Sequence, residues 1–503
     1  MKILNINQIR EADKFTIENE PVASIDLMER AARRCTESIK KIAGNDKNIK
    51  IFAGKGNNGG DGLAIARLLH IENYPVQTYL LSDELSPDAQ QNYQRLREVG
   101  HEPILIFSNN FPEIKPDEIV VDAILGSGLT HKVNGMIGEI IKTINNSGAT
   151  ILSIDVPSGL FCDLPVEDSN LNEILAVQAH KTLTFEFPKL SFLFSQTSHY
   201  VGKFEILPIG LHREYIKSAE THNYYIDIEL IKSIIVPRQK FAHKGVFGHA
   251  LLAAGSYGKM GAAVLAAKSC LRSGVGLLTV HLPKLGYEIM QTVVPEAMVS
   301  IDKYDKLISE LPNINNFNAL GIGPGIGKGN ATLTLLKTIL DSKFDKGLVI
   351  DADALNLLGE NRELLNQLNP KVILTPHPKE FERLAGKSQN CFDQYKKLIA
   401  FAKQYQTNVV LKGMHTIIAT SEGDCYFNST GNPGMSTAGS GDVLTGIILS
   451  FLAQGFSPKN AAIAGVYVHG LAGDIYSNCF SQNSLIATDI IEYLGTAFNY
   501  LSQ

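Results

Sequence analysis

The sequence predicts an α/β protein with two domains, each built on a sheet of buried, mainly parallel strands with helices on both faces. Short apolar runs bounded by Gly, Pro or Asp alternate with segments of helical length along most of the chain. With 503 residues, of which 44% are apolar, the chain is too long to fold around a single hydrophobic core of ordinary size. The alternation weakens between residues 211 and 238 and then restarts, so we place a boundary near residue 235.

Charge and cysteine usage favour a small-molecule ligand. The formal net charge is −5 and no run of Lys or Arg stands out, so we expect neither nucleic acid nor a membrane as partner. The first residues show no apolar core of signal-peptide length, and the apolar stretch 447–456 is too short for a membrane span. Six scattered cysteines without a C-x-x-C spacing predict reduced thiols and no zinc site. We therefore expect a soluble, cytoplasmic protein.

The first half opens with an amphipathic helix. In residues 24–42 apolar side chains recur at helical spacing, Ser24 is a candidate N-cap and Gly44 a stop signal. The apolar runs that follow predict strands at 49–54, 76–82, 118–126, 150–159 and 181–186, with helices at 60–71 and 137–148.

The second half repeats this organisation. Its predicted strands are 249–256, 276–283, 318–325, 347–353, 371–378 and 408–413, and its predicted helices are 262–273, 441–454, 458–475 and 488–500. Ligands of doubly wound sheets bind beyond the carboxyl ends of the strands, so the residues that follow each strand are the candidates for chemistry.

The first strand ends in a glycine-rich loop with two interpretations. "GKGNNGG" (54–60) contains G-x-G-x-x-G between a strand and a helix. Asp83 or Glu84 lies where a ribose-binding acid would be expected, so an NAD-dependent dehydrogenase is one hypothesis. However, Asn57, Asn58 and Asp61 crowd the loop with side-chain oxygens, and a carboxylate at a helix start competes with a pyrophosphate for the same N–H groups. The loop therefore favours another ligand.

Two more strand ends add oxygens to this edge of the sheet. Asp122 stands in "DAILGSG", and Asp155 and Ser158 stand in "DVPSGL". If the loops converge, Asn58, Asp122 and Ser158 offer hard oxygen ligands for a main-group cation, and Asp155 offers an acid or base. The alternative is that each Asp only caps a turn.

"GNNGGDG", "DAILGSG" and "DVPSGL", in this order, resemble the epimerase domain of the bifunctional NAD(P)H-hydrate repair enzymes. The resemblance implies a Rossmann-like three-layer domain that interconverts the R and S epimers of the hydrated cofactors NADHX and NADPHX, with Asp155 as a catalytic residue. It implies a potassium ion at Asn58, Asp122 and Ser158, and substrate contacts at Asn57, Asn58, Gly59, Gly60, Asp61, Gly126, Ser127, Gly128, Leu129 and Asp155. Direct proton abstraction at C6 and ring opening with reclosure both suit Asp155.

The second half carries "STAGSGDVLTG" (436–446), a glycine turn that opens a helix with Asp442 in its first turn. A Walker A loop is excluded because "GPGIGKGN" lacks its spacing and the Ser or Thr after Lys328. The string resembles the ribokinase-like fold, which implies an anion hole at Gly439–Gly441 and a catalytic base at Asp442. The alternative is a plain capped helix.

"GSYGKMG", "GPGIG", "TPHPKE", "LKGMHT" and "AGSGD", in this order, resemble the ADP- or ATP-dependent NAD(P)H-hydrate dehydratase domain. The resemblance implies phosphorylation of the C6 hydroxyl of the S hydrate, loss of phosphate, and a Mg²⁺ ion on the nucleotide. It implies hydrate contacts at Ala262, Gly325, His377 and Asp442, and nucleotide contacts at Lys412, Gly413, Met414, His415, Thr416 and Gly441. The chain departs from the family pattern at Lys379 and at 413–416, which puts in doubt the side chains that touch the nucleotide.

The sequence thus predicts an epimerase domain at 1–212, a linker at 213–235 and a dehydratase domain at 236–503. We expect a metabolite-repair enzyme that epimerises both hydrates and dehydrates the S epimer with ADP or ATP, and we expect it to form a homo-oligomer. One rival hypothesis is a ribokinase-like small-molecule kinase with an accessory N-terminal nucleotide-binding domain. A second rival is a regulatory protein that senses nicotinamide nucleotides without turnover.

Overall fold

The structure, a computed structural model, describes residues 1–44, 46–107, 111–163, 174–342 and 344–502. The chain divides into two compact units, one of residues 2–221 and one of Met1 together with the chain from His222 onward. Among the described residues, no helix is both long and apolar enough to cross a membrane.

The N-terminal unit is built around a parallel sheet of seven strands in the order β3-β2-β1-β4-β5-β6-β7. The strands are β1 (Ile49–Ala53), β2 (Val76–Leu80), β3 (Ile104–Leu105), β4 (Ile119–Ala123), β5 (Thr150–Ile154), β6 (Lys181–Phe185) and β7 (Lys203–Leu207). The helices are α1 (Ile6–Asn19), α2 (Ser24–Ala43), α3 (Asn57–Ile71), α4 (Pro87–Glu98), α5 (Gly135–Asn145), α6 (Ser198–Val201) and α7 (Arg213–Ser218).

Helices cover both faces of this sheet. Ile51 of β1 packs in one core with Ile65 of α3, whereas its neighbour Phe52 packs in another core with Ile140 of α5. Successive strand side chains point to opposite faces, so both must be apolar when both faces are covered. This explains why the strands appear in the sequence as unbroken apolar runs, and it confirms the predicted three-layer domain.

The C-terminal unit holds a ten-stranded sheet in the order β11-β10-β9-β12-β13-β14-β15-β16-β17-β8. Its strands are β8 (Asn223–Ile226), β9 (His249–Ala253), β10 (Leu277–Leu282), β11 (Met298–Ile301), β12 (Ala319–Ile322), β13 (Gly347–Ile350), β14 (Val372–Leu374), β15 (Asn408–Leu411), β16 (Ile417–Ala419) and β17 (Cys425–Asn428). Its helices are α8 (Ile228–Ile234), α9 (Met260–Arg272), α10 (Tyr287–Val293), α11 (Asn330–Asp341), α12 (Ala352–Glu360), α13 (Pro378–Ala385), α14 (Cys391–Gln404), α15 (Ser440–Ala453), α16 (Pro458–Cys479) and α17 (Ala487–Leu501).

Residues 213–235, predicted as a linker, form α7, β8 and α8 in the structure. Strand β8 pairs in parallel with β17 at the edge of the C-terminal sheet, and the ring of Tyr224 stacks on that of Tyr426 at 4.8 Å. An edge strand is only half covered, so its sequence is more polar than that of a central strand. The division between the units falls at residues 221 and 222.

The apolar stretch that begins at residue 447 lies mostly in α15, a helix in the interior of the C-terminal unit. Every residue of α15 from Val443 to Ala453 is buried, because α15 packs on α9, α16 and the sheet. Gly446 permits the contact with α9, since a Cβ at this position would overlap the carbonyl oxygen of Ala266. A helix that is apolar all round belongs to the interior.

The strand order predicts where ligands bind in each unit. It reverses between β1 and β4 in the N-terminal sheet and between β9 and β12 in the C-terminal sheet. Crevices at such switch points, beyond the carboxyl ends of the strands, are the usual ligand sites of α/β folds. The loops after β1 and β4 and those after β9 and β12 carry four of the glycine motifs, whereas the turn Gly439–Gly441 lies at the start of α15.

Candidate active sites

The glycine loop after β1 serves close packing of the backbone. A Cβ at Gly54 would overlap the carbonyl oxygen of Ile124, and a Cβ at Gly59 would overlap that of Gly54. A Cβ at Gly60 would lie 2.8 Å from Met28 Sδ. These contacts account for two of the three fingerprint glycines, Gly54 and Gly59, without a pyrophosphate, whereas a Cβ at Gly56 would meet no atom within 4 Å.

Asp122 is the centre of a buried oxygen cluster at the end of β4. Its Oδ2 accepts hydrogen bonds from Ser153 Oγ at 2.8 Å and Ser158 N at 2.9 Å, and its Oδ1 accepts from Ser158 Oγ. Burial raises the pKa of Asp122, and the hydrogen bonds from Ser158 and Ser153 oppose this rise. Ser158 Oγ also accepts from Leu125 N at 2.8 Å, so one hydroxyl ties the loops after β4 and β5 together.

Asn58, at the start of α3, completes this cluster. Its side-chain amide is buried, and neither Oδ1 nor Nδ2 has a hydrogen-bond partner among the described residues. A Cβ at Gly126 would lie 3.0 Å from Asn58 Cβ, so the loop after β4 lies directly against this side chain. A buried polar group without a partner is costly and is a candidate for binding an ion, a water or a ligand.

Asp155 directly follows β5 and has a φ of +62°. This left-handed conformation is uncommon for a residue with a side chain. Its Oδ1 pairs with Lys189 Nζ at 2.8 Å, and the Lys189 side chain is only 1% exposed. The same ammonium donates to the carbonyl oxygens of Phe185 and Phe187, each at 3.3 Å. The ion pair therefore joins the ends of two neighbouring strands.

Two more carboxylates are affected by the charge of Asp155. Burial, followed by the charge of Asp155, raises the pKa of Asp13 on α1 to about 6. Burial and the charges of Asp155 and Asp13 raise the pKa of Asp61 well above its ordinary value. The charges of Asp13, Asp61 and Asp155 therefore act on one another in this part of the unit.

In the C-terminal unit, Asp442 lies in a cavity of about 440 Å³ at the start of α15. The turn before it places Gly439 at φ +87°, where a Cβ would also clash with Leu265. The cavity is lined by Gly258, Lys259, Gly261, Ala262, Gly325, Ala352, Asp353, Asn356, Glu380 and Asp442. Burial and the charge of Asp351 raise the pKa of Asp442 to about 6.

A buried polar network lies beside Asp442. Asp351 Oδ1 pairs with Lys412 Nζ at 3.1 Å, and its Oδ2 accepts from Thr445 Oγ1 at 2.7 Å. Ala352 follows at φ +49°. Asp353 lines the cavity and pairs with Lys259 at 3.0 Å.

His469 of α16 forms a hydrogen bond with the backbone at the start of α15. Its Nε2 donates to the carbonyl oxygen of Ser440 at 3.0 Å. Burial lowers the pKa of His469 to about 4, so the ring is neutral at neutral pH. A neutral imidazole can hold the start of α15 without placing a second positive charge next to Lys412.

The predicted nucleotide loop is compact. Gly413 N donates to Thr416 Oγ1 at 3.3 Å, and His415 Nδ1 contacts the carbonyl oxygen of Asn428 at 2.9 Å. Met414 is 67% exposed. Gly441 stands against Lys412, since a Cβ there would lie 3.3 Å from Lys412 Nζ.

His377 caps α13 through its Nδ1, which accepts from Lys379 N at 3.1 Å and from Glu380 N at 3.3 Å. At this strand end Glu380 lines the cavity, and His377 is not among the lining residues.

Family models match both units. Residues 24–191 match the model described as YjeF-related protein N-terminus, and residues 250–495 match the NAD(P)H-hydrate dehydratase model. A bifunctional NAD(P)H-hydrate repair enzyme of Moorella thermoacetica is 33% identical over 98% of this chain and 96% of that protein. The chain belongs to this family. The enzyme of the same name from Coxiella burnetii is 34% identical over 98% of both chains.

A solved structure was also found for the second unit. The ADP/ATP-dependent NAD(P)H-hydrate dehydratase from Bacillus subtilis, co-crystallised with ATP and Mg²⁺, is 30% identical and covers 55% of this chain and 98% of its own, with a TM-score of 0.48.

Membership in the repair-enzyme family confirms the predicted resemblance along the whole chain. It favours a repair enzyme over a kinase with an accessory domain, since the two family models lie in one chain in the order expected. The roles of the individual residues, the cytoplasmic location and the homo-oligomer stay predictions.

Sequence reasoning missed several residues of both sites. Asp351 and Asp353 follow β13 directly and could have been found from their place at a strand end. Lys189, Asp13 and His469 carry no such signal, because only the folded chain brings them to Asp155 and Ser440.

Proposed function

We propose that this repair enzyme epimerises the R and S forms of NADHX and NADPHX in its N-terminal unit and dehydrates the S form to NADH and NADPH in its C-terminal unit. A dehydratase selective for one epimer leaves the other behind, so one chain with both activities clears the mixture. The observation that carries the proposal is the match of both family models, each placed over a polar site at a switch point.

In the dehydratase unit, Asp442 is the catalytic base. It accepts the proton of the C6 hydroxyl as that oxygen attacks the terminal phosphoryl group of ADP or ATP. The N–H groups at Gly439–Gly441 stabilise the charge on the transferring phosphoryl group. Phosphate then leaves C6 with the bonding electron pair, and loss of a proton from C5 restores the double bond of the dihydronicotinamide.

Lys412 supplies the positive charge for the nucleotide phosphates. Asp351, itself held by the Thr445 hydroxyl, pairs with this ammonium beside Gly441, which supports placing the phosphates there. No three His, Cys, Asp or Glu side chains of the described ranges are grouped closely enough to hold a metal. Mg²⁺ therefore fits this site as an ion that arrives on the nucleotide, where it would neutralise phosphate charge.

In the epimerase unit, Asp155 is the proton-transfer residue. Each of its hydrogen bonds to a described residue falls on Oδ1, which leaves Oδ2 to the substrate. Lys189 fixes the orientation of the carboxylate from a position that substrate does not reach, since its side chain is 1% exposed. Asp13, whose pKa is about 6, is a second proton donor or acceptor close to the same site.

The oxygen cluster fits a potassium ion. Asn58 Oδ1 is buried without a partner among the described residues, and the Asp122 carboxylate and the Ser158 hydroxyl belong to the adjoining loops. Amide, carboxylate and hydroxyl oxygens suit a hard main-group cation. Bound there, the ion would stabilise negative charge on the substrate.

The test is recovery of the near-ultraviolet absorbance of reduced nicotinamide from an R/S mixture of NADHX. With Mg²⁺, K⁺ and either ADP or ATP, we expect the full chain to restore all of it. With tetramethylammonium in place of K⁺, we expect rapid recovery of the S share alone. No recovery with either nucleotide would refute the dehydratase, and full rapid recovery without K⁺ would refute the potassium site.

The dehydratase should lose activity in acid. A general base acts as the carboxylate, and the pKa of Asp442 is about 6, so kcat/KM for dehydration falls below that pH by about tenfold per pH unit. Asp351→Asn removes a negative charge that raises this pKa and should move the acid limb to lower pH. A pH profile on S-NADHX measures both, and a flat profile down to pH 5 would contradict the assignment.

A further inference from the structure

An exposed tyrosine stands at the mouth of the dehydratase cavity. Tyr257 directly precedes Gly258 and Lys259, which line the cavity, and it is 70% exposed. It lies between Gly255 at φ +86° and Gly258 at φ +82°, so the turn depends on glycine at both ends. The turn thus presents a large aromatic ring to solvent beside two residues that line the cavity.

A lysine from a second loop covers part of this ring. Lys306 Nζ lies 5.0 Å from the centroid of the Tyr257 ring, and Tyr257 N donates to the carbonyl oxygen of Lys306 at 3.0 Å. Lys306 has no carboxylate partner within ion-pair distance among the residues that the structure describes, whereas Lys303 of the same loop pairs with Glu310 at 3.1 Å. The rim therefore carries one aromatic surface and one uncompensated positive charge.

The loop that carries Lys306 is held in place. Buried Asp302 accepts hydrogen bonds from Tyr304 N at 2.9 Å, Ser309 N at 2.7 Å and Glu310 N at 3.1 Å. Since these bonds fix the loop before any ligand binds, a ligand does not have to order it.

The substrate class explains what this rim would bind. NADHX is a dinucleotide, and only its hydrated nicotinamide reacts at Asp442. A cavity of about 440 Å³ lies at the small end of sites for drug-sized ligands, which span about 300–1,000 Å³. We therefore expect the adenosine and pyrophosphate half to extend out of the cavity mouth.

We propose that Tyr257 and Lys306 form a subsite for the adenosine diphosphate half of the hydrate substrate. Adenine stacks on the Tyr257 ring, because every base has a π-face that an aromatic side chain can cover. The pyrophosphate lies close to Lys306, which acts as a point charge. This subsite rests on the proposed dehydratase function.

A truncated substrate tests the subsite. Hydrated reduced nicotinamide mononucleotide keeps the reacting ring but lacks adenosine and its phosphate. In the full chain, Tyr257→Ala should raise KM for S-NADHX by about tenfold, from the loss of base stacking, and leave kcat/KM for the truncated hydrate within about twofold. Tyr257→Phe keeps the ring and should restore the KM for S-NADHX.

The matched control is Tyr500→Ala, which removes a 51% exposed tyrosine from α17. It should change neither substrate's kinetics. An unchanged KM for S-NADHX in Tyr257→Ala, an equal loss on both substrates, or a raised KM for ADP alone would overturn the subsite; the last result would assign the ring to the phosphoryl donor. Failure of the wild type on S-NADHX would instead refute the proposed function, and the subsite with it.

Discussion

Asp442→Asn should lower the rate of dehydration by about 10²–10⁴-fold, the range for removal of a general base. Asparagine keeps the size of the side chain but cannot accept the hydroxyl proton, so kcat falls while the KM for ADP changes little. The measurement is the initial rate of absorbance recovery from S-NADHX with ADP or ATP at neutral pH. Epimerisation of the R form, followed by chromatography of the two hydrates, should continue at the wild-type rate.

The control for this variant is Asp393→Asn, which removes a carboxylate of α14 that pairs with Lys397 at 2.9 Å. It should dehydrate S-NADHX like the wild type. If Asp442→Asn keeps a rate within about threefold of the wild type, Asp442 is not the base.

Asp155→Asn should remove epimerisation by a similar factor, about 10²–10⁴-fold, because it removes the group that exchanges the substrate proton. An R/S mixture should then show rapid recovery of the S share only. Lys189→Met should also lower kcat for epimerisation, with little change in KM, since the buried Lys189 touches only protein oxygens and acts through Asp155.

Two readouts distinguish a lost proton-transfer group from a lost fold. Dehydration of the S share should persist in both variants, and Asp117→Asn, at an exposed turn, should epimerise like the wild type. Circular dichroism reports whether Lys189→Met leaves the unit folded, since Asp155 then lacks its buried partner. A folded Asp155→Asn variant that still recovers the R share rapidly would contradict the assigned role.

Much of the fold follows from periodicity. The strands predicted at 49–54 and 118–126 and the helix at 24–42 agree with β1, β4 and α2, because full burial on two faces or on one helical stripe leaves a strong pattern. Strands β3, β7, β8, β11, β16 and β17 were missed. They are short or lie near sheet edges, where one side faces solvent and apolar character is diluted.

Some residues of the candidate sites could be predicted from the sequence and others could not. Asn58, Asp122, Ser158 and Asp442 stand in local motifs at strand or helix ends, so the sequence could single them out. Lys189 and Asp13 could not be found this way. Lys189 follows β6 and Asp13 lies on α1, and the distance of each from Asp155 depends on how those elements pack.

By itself, the sequence determined the two α/β halves and the family, and it singled out Asp155 and Asp442 as candidate reacting carboxylates, since these depend on short-range patterns of burial, turn residues and glycine placement. Only the tertiary structure decided the environment of those carboxylates. Lys189 contacts Asp155, Asp351 contacts both Lys412 and Thr445, and His469 contacts Ser440. In each of these pairs the two residues are distant in sequence. Charge, burial and hydrogen bonding act between groups that are close in space. The side chains that set the pKa and orientation of a catalytic group therefore depend on the fold and not on their position along the chain.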